Sequence, residues 1–179
     1  MPLADTARVA LIKLSSLGDV VHALPVATTL RAARPRARLV WIVARREAAV
    51  LRGHPALDEV IVADTRGWRR ARRPAAIAAA VADVRALRRW LRQERFDVAL
   101  DLQGLLKSGA VARATGAPLR VGFAASWGRE PLSTIFTNRH VQPPSSAARR
   151  SRPGVRAAAR PAAWSPPARR GRRHRARRA

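Results

Sequence analysis

The chain has 179 residues, a length that suits one domain, or one domain and a fragment of another. It contains no cysteine, which excludes a disulfide framework and a thiolate metal site and fits a reducing compartment. The net charge of +25 is typical of nucleic-acid-binding proteins, but 12 of the 36 basic residues lie in 142–179. The charge alone therefore does not indicate a folded nucleic-acid surface.

Alternating strands and helices are predicted over residues 8–141. Apolar, β-branched runs predict strands at 9–12, 39–43, 59–63, 98–102 and 120–123. Apolar periodicity and capping predict helices at 19–34, with Asp19 as the N-cap, and at 47–52, 75–95 and 105–113. This order predicts an α/β fold with a parallel sheet of about five strands. Asp19, Arg66 and Gln103 are expected near one edge of that sheet.

The turn after the first strand is the most informative segment. Open α/β sheets bind their ligands at the carboxyl ends of the strands, which is where this turn lies. It lacks the G-x-G-x-x-G pattern, and no G-x-x-x-x-G-K-[ST] occurs anywhere, so a dinucleotide-dependent Rossmann enzyme is not supported. The turn reads K-x-S-S-x-G-D-x-x-H-x-x-P from Lys13 to Pro25. This segment resembles the first loop of the lipopolysaccharide heptosyltransferases.

Three further segments resemble the same family. Residues 101–108 carry its D-x-Q-G-L-x-K-S motif at each fixed position, and 66–73 form an Arg-rich loop that contains one Trp. Residues 129–132 read R-E-P-L, with N-R following at 138–139. The resemblance covers residues 8–141 and is greatest to heptosyltransferase I, although heptosyltransferase II shares the opening loop.

The resemblance implies a fold, a reaction and a set of residue roles. The fold is the N-terminal, acceptor-side Rossmann-like domain of a GT-B glycosyltransferase, spanning 1–141. The reaction is an inverting transfer of heptose from ADP-heptose, a co-substrate, to Kdo of lipid A, with no cofactor and no metal. The catalytic base is Asp19, and Gly18 belongs to the donor site. The implied acceptor-binding residues are Lys13, Ser15, Ser16, Arg66, Arg69, Arg70, Gln103, Lys107 and Arg129.

The residues by themselves leave simpler roles open. Asp19 suits a helix N-cap, and His22 suits packing or hydrogen bonding rather than acid–base work. The 66–73 segment suits a solvated basic loop as well as it suits a site for carboxylate and phosphate. Arg129 is either an acceptor ligand, fixed by an ion pair with Glu130, or part of a structural salt bridge.

The composition changes abruptly after Val141. Residues 142–179 hold 12 Arg, 10 Ala and 6 Pro without hydrophobic periodicity, which predicts disorder. A basic tail for anionic partners is one interpretation. We favour a frameshift, because Arg, Ala and Pro codons are built from G and C. The second domain of the family has no counterpart in this tail, so we expect the chain alone to be inactive.

Location and partners follow from the same reasoning. The N-terminus has no basic n-region, and its apolar run ends at Lys13, which predicts no signal peptide and a cytoplasmic protein. The family's acceptor implies a peripheral location at the cytoplasmic face of the inner membrane. The implied partners are Kdo-lipid A and ADP-heptose, without a specific nucleic acid. The alternative function is a basic nucleic-acid-binding protein with an Arg-rich tail.

Overall fold

The fold is a six-stranded parallel sheet in the order β3-β2-β1-β4-β5-β6, seen in a computed structural model that describes residues 4–142. The strands are β1 (Arg8–Ile12), β2 (Arg38–Val43), β3 (Glu59–Val62), β4 (Val98–Asp101), β5 (Leu119–Phe123) and β6 (Arg139–Val141). The helices are α1 (Leu17–Ala33), α2 (Thr65–Arg70), α3 (Pro74–Gln93) and α4 (Leu106–Thr115). Two 3-10 helices, Ala48–Leu51 and Pro131–Phe136, complete the described part of the chain.

The two faces of the sheet bury separate apolar clusters, which is why β1 and β2 are apolar along almost their whole length. Val9 and Leu11 point to the face covered by α1. Ala10 and Ile12 point to the opposite face, where Leu91 of α3 and Val111 of α4 pack. Strands buried on both faces need continuous apolar runs rather than alternation, and their sequences have them. The expected Rossmann-like parallel sheet with flanking helices is confirmed.

The strand order reverses between β1 and β4. These two neighbours pair in register from Val9 with Val98 to Ile12 with Asp101. Connections from their carboxyl ends therefore diverge to opposite sides, and such a switch point leaves a crevice in which α/β proteins bind ligands. The β1–α1 loop and the β4–α4 turn meet there.

Several predicted elements need correction. The sheet has six strands rather than about five, because the exposed segment Arg139–Val141 pairs with β5. Part of the predicted basic loop at 66–73 is the helix α2, and the predicted helix at 47–52 is a 3-10 helix. Ser16, not Asp19, is the N-cap of α1. Residues 143–179, nearly all of the predicted tail, lie outside the described residues, so its disorder and frameshift origin stay predictions.

Candidate active site

The Asp19 carboxylate stands in the first turn of α1, beside the switch point. Its Oδ2 accepts hydrogen bonds from the Ser16 backbone N–H (3.2 Å) and the Ser16 hydroxyl (3.1 Å), which is one half of a capping box. Arg129 Nη1 lies 3.5 Å from the same oxygen. Within residues 4–142, no hydrogen bond to Oδ1 is formed, so this oxygen is available to a ligand.

The surroundings of Asp19 keep it ionised. The pKa of its carboxyl is lowered first by the hydrogen bond from the Ser16 N–H, then by the charge of Lys13 and the Ser16 hydroxyl, with Arg129 adding to them. Its side chain is 31% exposed, so a solute can reach it. The site therefore presents a charged proton acceptor at neutral pH.

Lys13 bridges the two strand ends of the switch point. Its ammonium donates to the Leu102 carbonyl (3.0 Å), and Asp101 and Asp19 both attract its charge. Desolvation by burial nevertheless dominates and lowers the pKa of Lys13. The result is a half-buried cation next to the Asp19 carboxylate.

Ser15 joins the β1–α1 loop to the segment that follows β4. Its hydroxyl lies 3.3 Å from Lys107 Nζ and 3.5 Å from Gln103 Nε2. The Gln103 side chain also accepts a hydrogen bond of 2.8 Å from the Leu14 N–H. The structure thus brings Lys13, Ser15, Gln103 and Lys107 together, although the paired residues are 89 and 92 positions apart in the chain. Gln103 is buried, and both ends of its amide bind the protein.

Asp101 shapes the turn that carries Gln103. This buried carboxylate accepts hydrogen bonds from the N–H groups of Gln103 (2.9 Å) and Gly104 (3.1 Å). Burial raises the pKa of Asp101, against the opposing effect of those hydrogen bonds and of Lys13. Although Asp101 opens the D-x-Q-G motif, its role as the acceptor of this turn was not predicted.

The R-E-P-L segment at 129–132 places the Arg129 guanidinium beside the Asp19 carboxylate. The ion pair between Glu130 and Arg129 that the sequence suggested is not formed within residues 4–142. The Glu130 carboxylate instead accepts a hydrogen bond from the Leu106 N–H (2.6 Å) at the start of α4. The Glu130 N–H donates to the Gly104 carbonyl (3.0 Å). Gly104 has a φ of +68°, and a Cβ on it would meet the backbone of Gly128 at 3.3 Å. Glycine, which has no side chain, permits both this conformation and the close approach of the two segments. Glu130 therefore fixes the segment, and Arg129 is left to face the carboxylate.

The basic residues of α2 form a separate surface after the edge strand β3. Asp64, which sequence reasoning missed, caps α2 by accepting the Gly67 N–H (2.9 Å). Arg66 lies 3.9 Å from the buried Glu47, while Arg69 and Arg70 are exposed. No ion pair or hydrogen bond in the described chain joins these arginines to Asp19. They lie at the same carboxyl edge of the sheet as Asp19, and Arg69 lines a groove that also contains Lys107.

Three comparisons bear on this geometry. A profile of Glycosyltransferase family 9 (heptosyltransferase) matches residues 84–152. Lipopolysaccharide heptosyltransferase 1 of Escherichia coli is 35% identical over 147 residues, which cover 81% of this chain and 45% of that protein. Its counterpart in Salmonella typhimurium is 36% identical with the same coverage. The solved structure of E. coli heptosyltransferase WaaC with ADP-2-deoxy-2-fluoro heptose matches with a TM-score of 0.67 and 34% identity, over 80% of this chain and 45% of that one.

The chain belongs to glycosyltransferase family 9. Its fold is that of the matched heptosyltransferase structures, which confirms the fold class expected for the N-terminal domain of a GT-B enzyme. The chain spans about half the length of the curated relatives it matches. The domain assignment to 1–141 and 142–179 stays a prediction.

Two further residues of the first loop motif, Gly18 and His22, both lie on α1 of this family 9 chain. Gly18 lies in the first turn of α1, and a Cβ built on it meets nothing within 4 Å, so its backbone is open to a ligand. His22 is exposed on α1 rather than packed. Among residues 4–142, no group of three or more His, Cys, Asp or Glu side chains is placed to hold a metal ion.

Proposed function

We propose that this chain forms the acceptor side, with the catalytic base, of an inverting glycosyltransferase that transfers heptose from ADP-heptose to Kdo of lipid A in lipopolysaccharide inner-core synthesis. The observation that carries the proposal is the ionised Asp19 carboxylate at the switch point, with Oδ2 held by Ser16 and Arg129 and Oδ1 available. Family membership supports the substrate class, since the E. coli relative was solved with an ADP-heptose analogue.

In the proposed reaction, an acceptor hydroxyl lies within hydrogen-bond reach of Asp19 Oδ1. The hydroxyl oxygen forms a bond to the anomeric carbon of the heptose as the bond from that carbon to the ADP phosphate breaks. The hydroxyl proton passes to Oδ1, and the electron pair of the broken bond leaves with ADP. Attack from the face opposite ADP inverts the anomeric configuration.

The lowered pKa of Asp19 determines when the proton moves. A carboxylate whose pKa is held below its ordinary value is a weak base and does not deprotonate a free sugar hydroxyl. The hydroxyl becomes strongly acidic only as its oxygen bonds to the anomeric carbon. We therefore place proton transfer late in the displacement, with Asp19 first orienting the hydroxyl through a charge-assisted hydrogen bond.

The cations around the sheet edge suit an acidic acceptor. Kdo carries a carboxylate and lipid A carries phosphates, and guanidinium groups pair with both in bidentate fashion. The proposed acceptor-binding residues are those of the sequence analysis: Lys13, Ser15, Ser16, Arg66, Arg69, Arg70, Gln103, Lys107 and Arg129. For Gln103 we propose an indirect role in acceptor binding. Its amide already forms hydrogen bonds with Leu14 and Ser15, so it positions Ser15 rather than contacting the acceptor itself. Gly18 is assigned to the donor.

The proposal includes a location. We place the protein at the cytoplasmic face of the inner membrane, where a lipid-anchored acceptor is accessible. In the described part of the chain, no helix is both long and apolar enough to cross a bilayer. Nucleic-acid binding, the alternative, rests on net charge alone.

A reconstitution tests the proposal. Residues 4–142 are joined to the part of E. coli heptosyltransferase 1 that this chain does not cover, giving what we call the reconstituted enzyme. Incubated with ADP-heptose and Kdo-lipid A, it is expected to release ADP and extend the acceptor by one heptose. The unmodified chain is expected to do neither. A folded reconstituted enzyme that binds both substrates without transfer would contradict the proposal.

A further inference from the structure

The first half of helix α3 carries an apolar stripe that is only partly covered by the rest of the described chain. Ile77, Val81 and Val84 are 47%, 41% and 42% exposed. Their spacing of four and three residues places them on one side of the helix. The second half of α3 behaves differently, because Leu87, Trp90 and Leu91 pack into the core beneath the sheet. The first half of α3 therefore presents aliphatic side chains to the surroundings.

Basic residues surround this stripe. Arg85 and Arg88 lie one helical turn beyond Val81 and Val84, and both are exposed. The short connection from α2 to α3 adds the exposed Arg72 and Arg73. Asp83 is the one acid within α3. An aliphatic stripe flanked by arginines is the arrangement of helices that lie in the interface of an anionic membrane.

The stripe is continuous with residues proposed to bind the acceptor. A groove of about 400 Å³ between α2, α3 and α4 has Val84 and Leu87 in its wall. Arg69 and Lys107, both assigned to the acceptor, line the same groove. The apolar surface thus begins where the anionic part of the acceptor is expected.

We propose that the face formed by α2 and the first half of α3 docks on a bilayer containing anionic lipids. The stripe enters the boundary between headgroups and acyl chains, and the flanking arginines pair with lipid phosphates. Helix α3 lies along the surface and does not cross it. We choose a bilayer over a protein partner because arginines are in excess around purely aliphatic residues. The statement that the acceptor is held in a membrane rests on the proposed function.

Site-specific labelling tests this surface in the full chain. Because the sequence has no cysteine, Val81→Cys carries a single environment-sensitive fluorophore, and Val50→Cys, 40% exposed in a 3-10 helix, is the matched control. Vesicles contain equal parts of phosphatidylglycerol and phosphatidylcholine, with or without a nitroxide-labelled lipid. We expect blue-shifted, nitroxide-quenched emission at position 81 and little change at position 50. Binding that leaves position 81 unquenched, or no binding at all, overturns the proposal.

Co-sedimentation with the same vesicles supplies a second readout. Ile77→Asp combined with Val81→Asp is expected to weaken binding about tenfold or more, because it puts charge where apolar contact is needed. Ile135→Asp, at a residue 68% exposed in the other 3-10 helix, is the control. All variants keep the 12 arginines of 142–179, so their attraction to lipid is common to every measurement. Equal affinity of the α3 variant and the unsubstituted chain overturns the proposal. The vesicles hold no acceptor, so this result is independent of heptose transfer.

Discussion

Arg129 Nη1 lies 3.5 Å from Asp19 Oδ2, the oxygen that already accepts two hydrogen bonds from Ser16. The arginine reaches the carboxylate because Glu130 fixes its segment to the start of α4. All these contacts fall on one oxygen. Asp19 is therefore oriented by its surroundings, with its other oxygen directed away from these partners.

We predict an order of effects on the Asp19 pKa. Lys13 lowers this pKa more than Arg129 does, so Lys13→Met should raise it further than Arg129→Met. Both changes move the pKa toward its ordinary value, since each removes a positive charge that favours the carboxylate. Carboxyl NMR titration of the chain measures this directly. The reverse order, or a pKa of Asp19 above that of free aspartate, would show that other groups determine the pKa of this carboxyl.

Asp101 should affect stability according to what replaces it. Asp101→Ala leaves the buried N–H groups of Gln103 and Gly104 without an acceptor and should cost about 1–3 kcal/mol in the free energy of unfolding. Asp101→Asn keeps an acceptor oxygen and removes the buried charge, so it should be far milder at neutral pH. Urea unfolding of the three proteins provides the comparison.

The pH dependence supplies the control for Asp101. A raised folded-state pKa means that the folded protein holds an extra proton between the unfolded and folded pKa values. The free energy of unfolding attributable to this residue therefore falls as pH rises through that window and stays lower above it. Asp101→Asn should abolish this component. An unchanged pH dependence would contradict the assignment.

Substitution of Gly18 should affect the stability of the fold and the binding of the donor in opposite directions. With nothing within 4 Å of an added Cβ, Gly18→Ala should raise the free energy of unfolding by up to about 1 kcal/mol, because alanine favours the helix. If the donor approaches this backbone, the same change should raise KM for ADP-heptose in the reconstituted enzyme. A variant that is more stable and fully active would remove Gly18 from the donor site.

Arg69→Ala should raise KM for the acceptor more than it lowers kcat. A bound anion is held in both the ground state and the transition state, so its loss appears mainly as weaker binding. Arg36→Ala, an exposed arginine before β2, is the matched control and should change neither value. Kinetics of the reconstituted enzyme with a deacylated Kdo acceptor provide the test. Equal effects of the two substitutions would show that only net charge matters.

The sequence predicted most of the sheet, including the edge strand β3, but not the opposite edge strand β6. Buried strands such as β1 can be recognised by their apolar runs. Strand β6 consists of three exposed residues and has no apolar run from which a strand could be predicted. Helix α2 was missed because half of its six residues are arginine and the segment shows no apolar period. In the candidate site, motif spacing singled out Lys13 and Asp19, whose charges interact in the structure. The pairing of Glu130 with Leu106 depends on contacts between distant segments, which spacing does not encode.

The rate of heptose transfer by the Asp19 variants tests the central claim most directly. Asp19→Ala and Asp19→Asn in the reconstituted enzyme should lower kcat by about two to four powers of ten, the usual cost of losing a positioned proton acceptor. Binding of ADP-heptose should remain nearly unchanged. Because Asp19 also accepts the Ser16 N–H, unfolding is measured in parallel to exclude loss of the fold. Transfer at the unsubstituted rate by folded Asp19→Ala would show that this carboxylate only caps its helix.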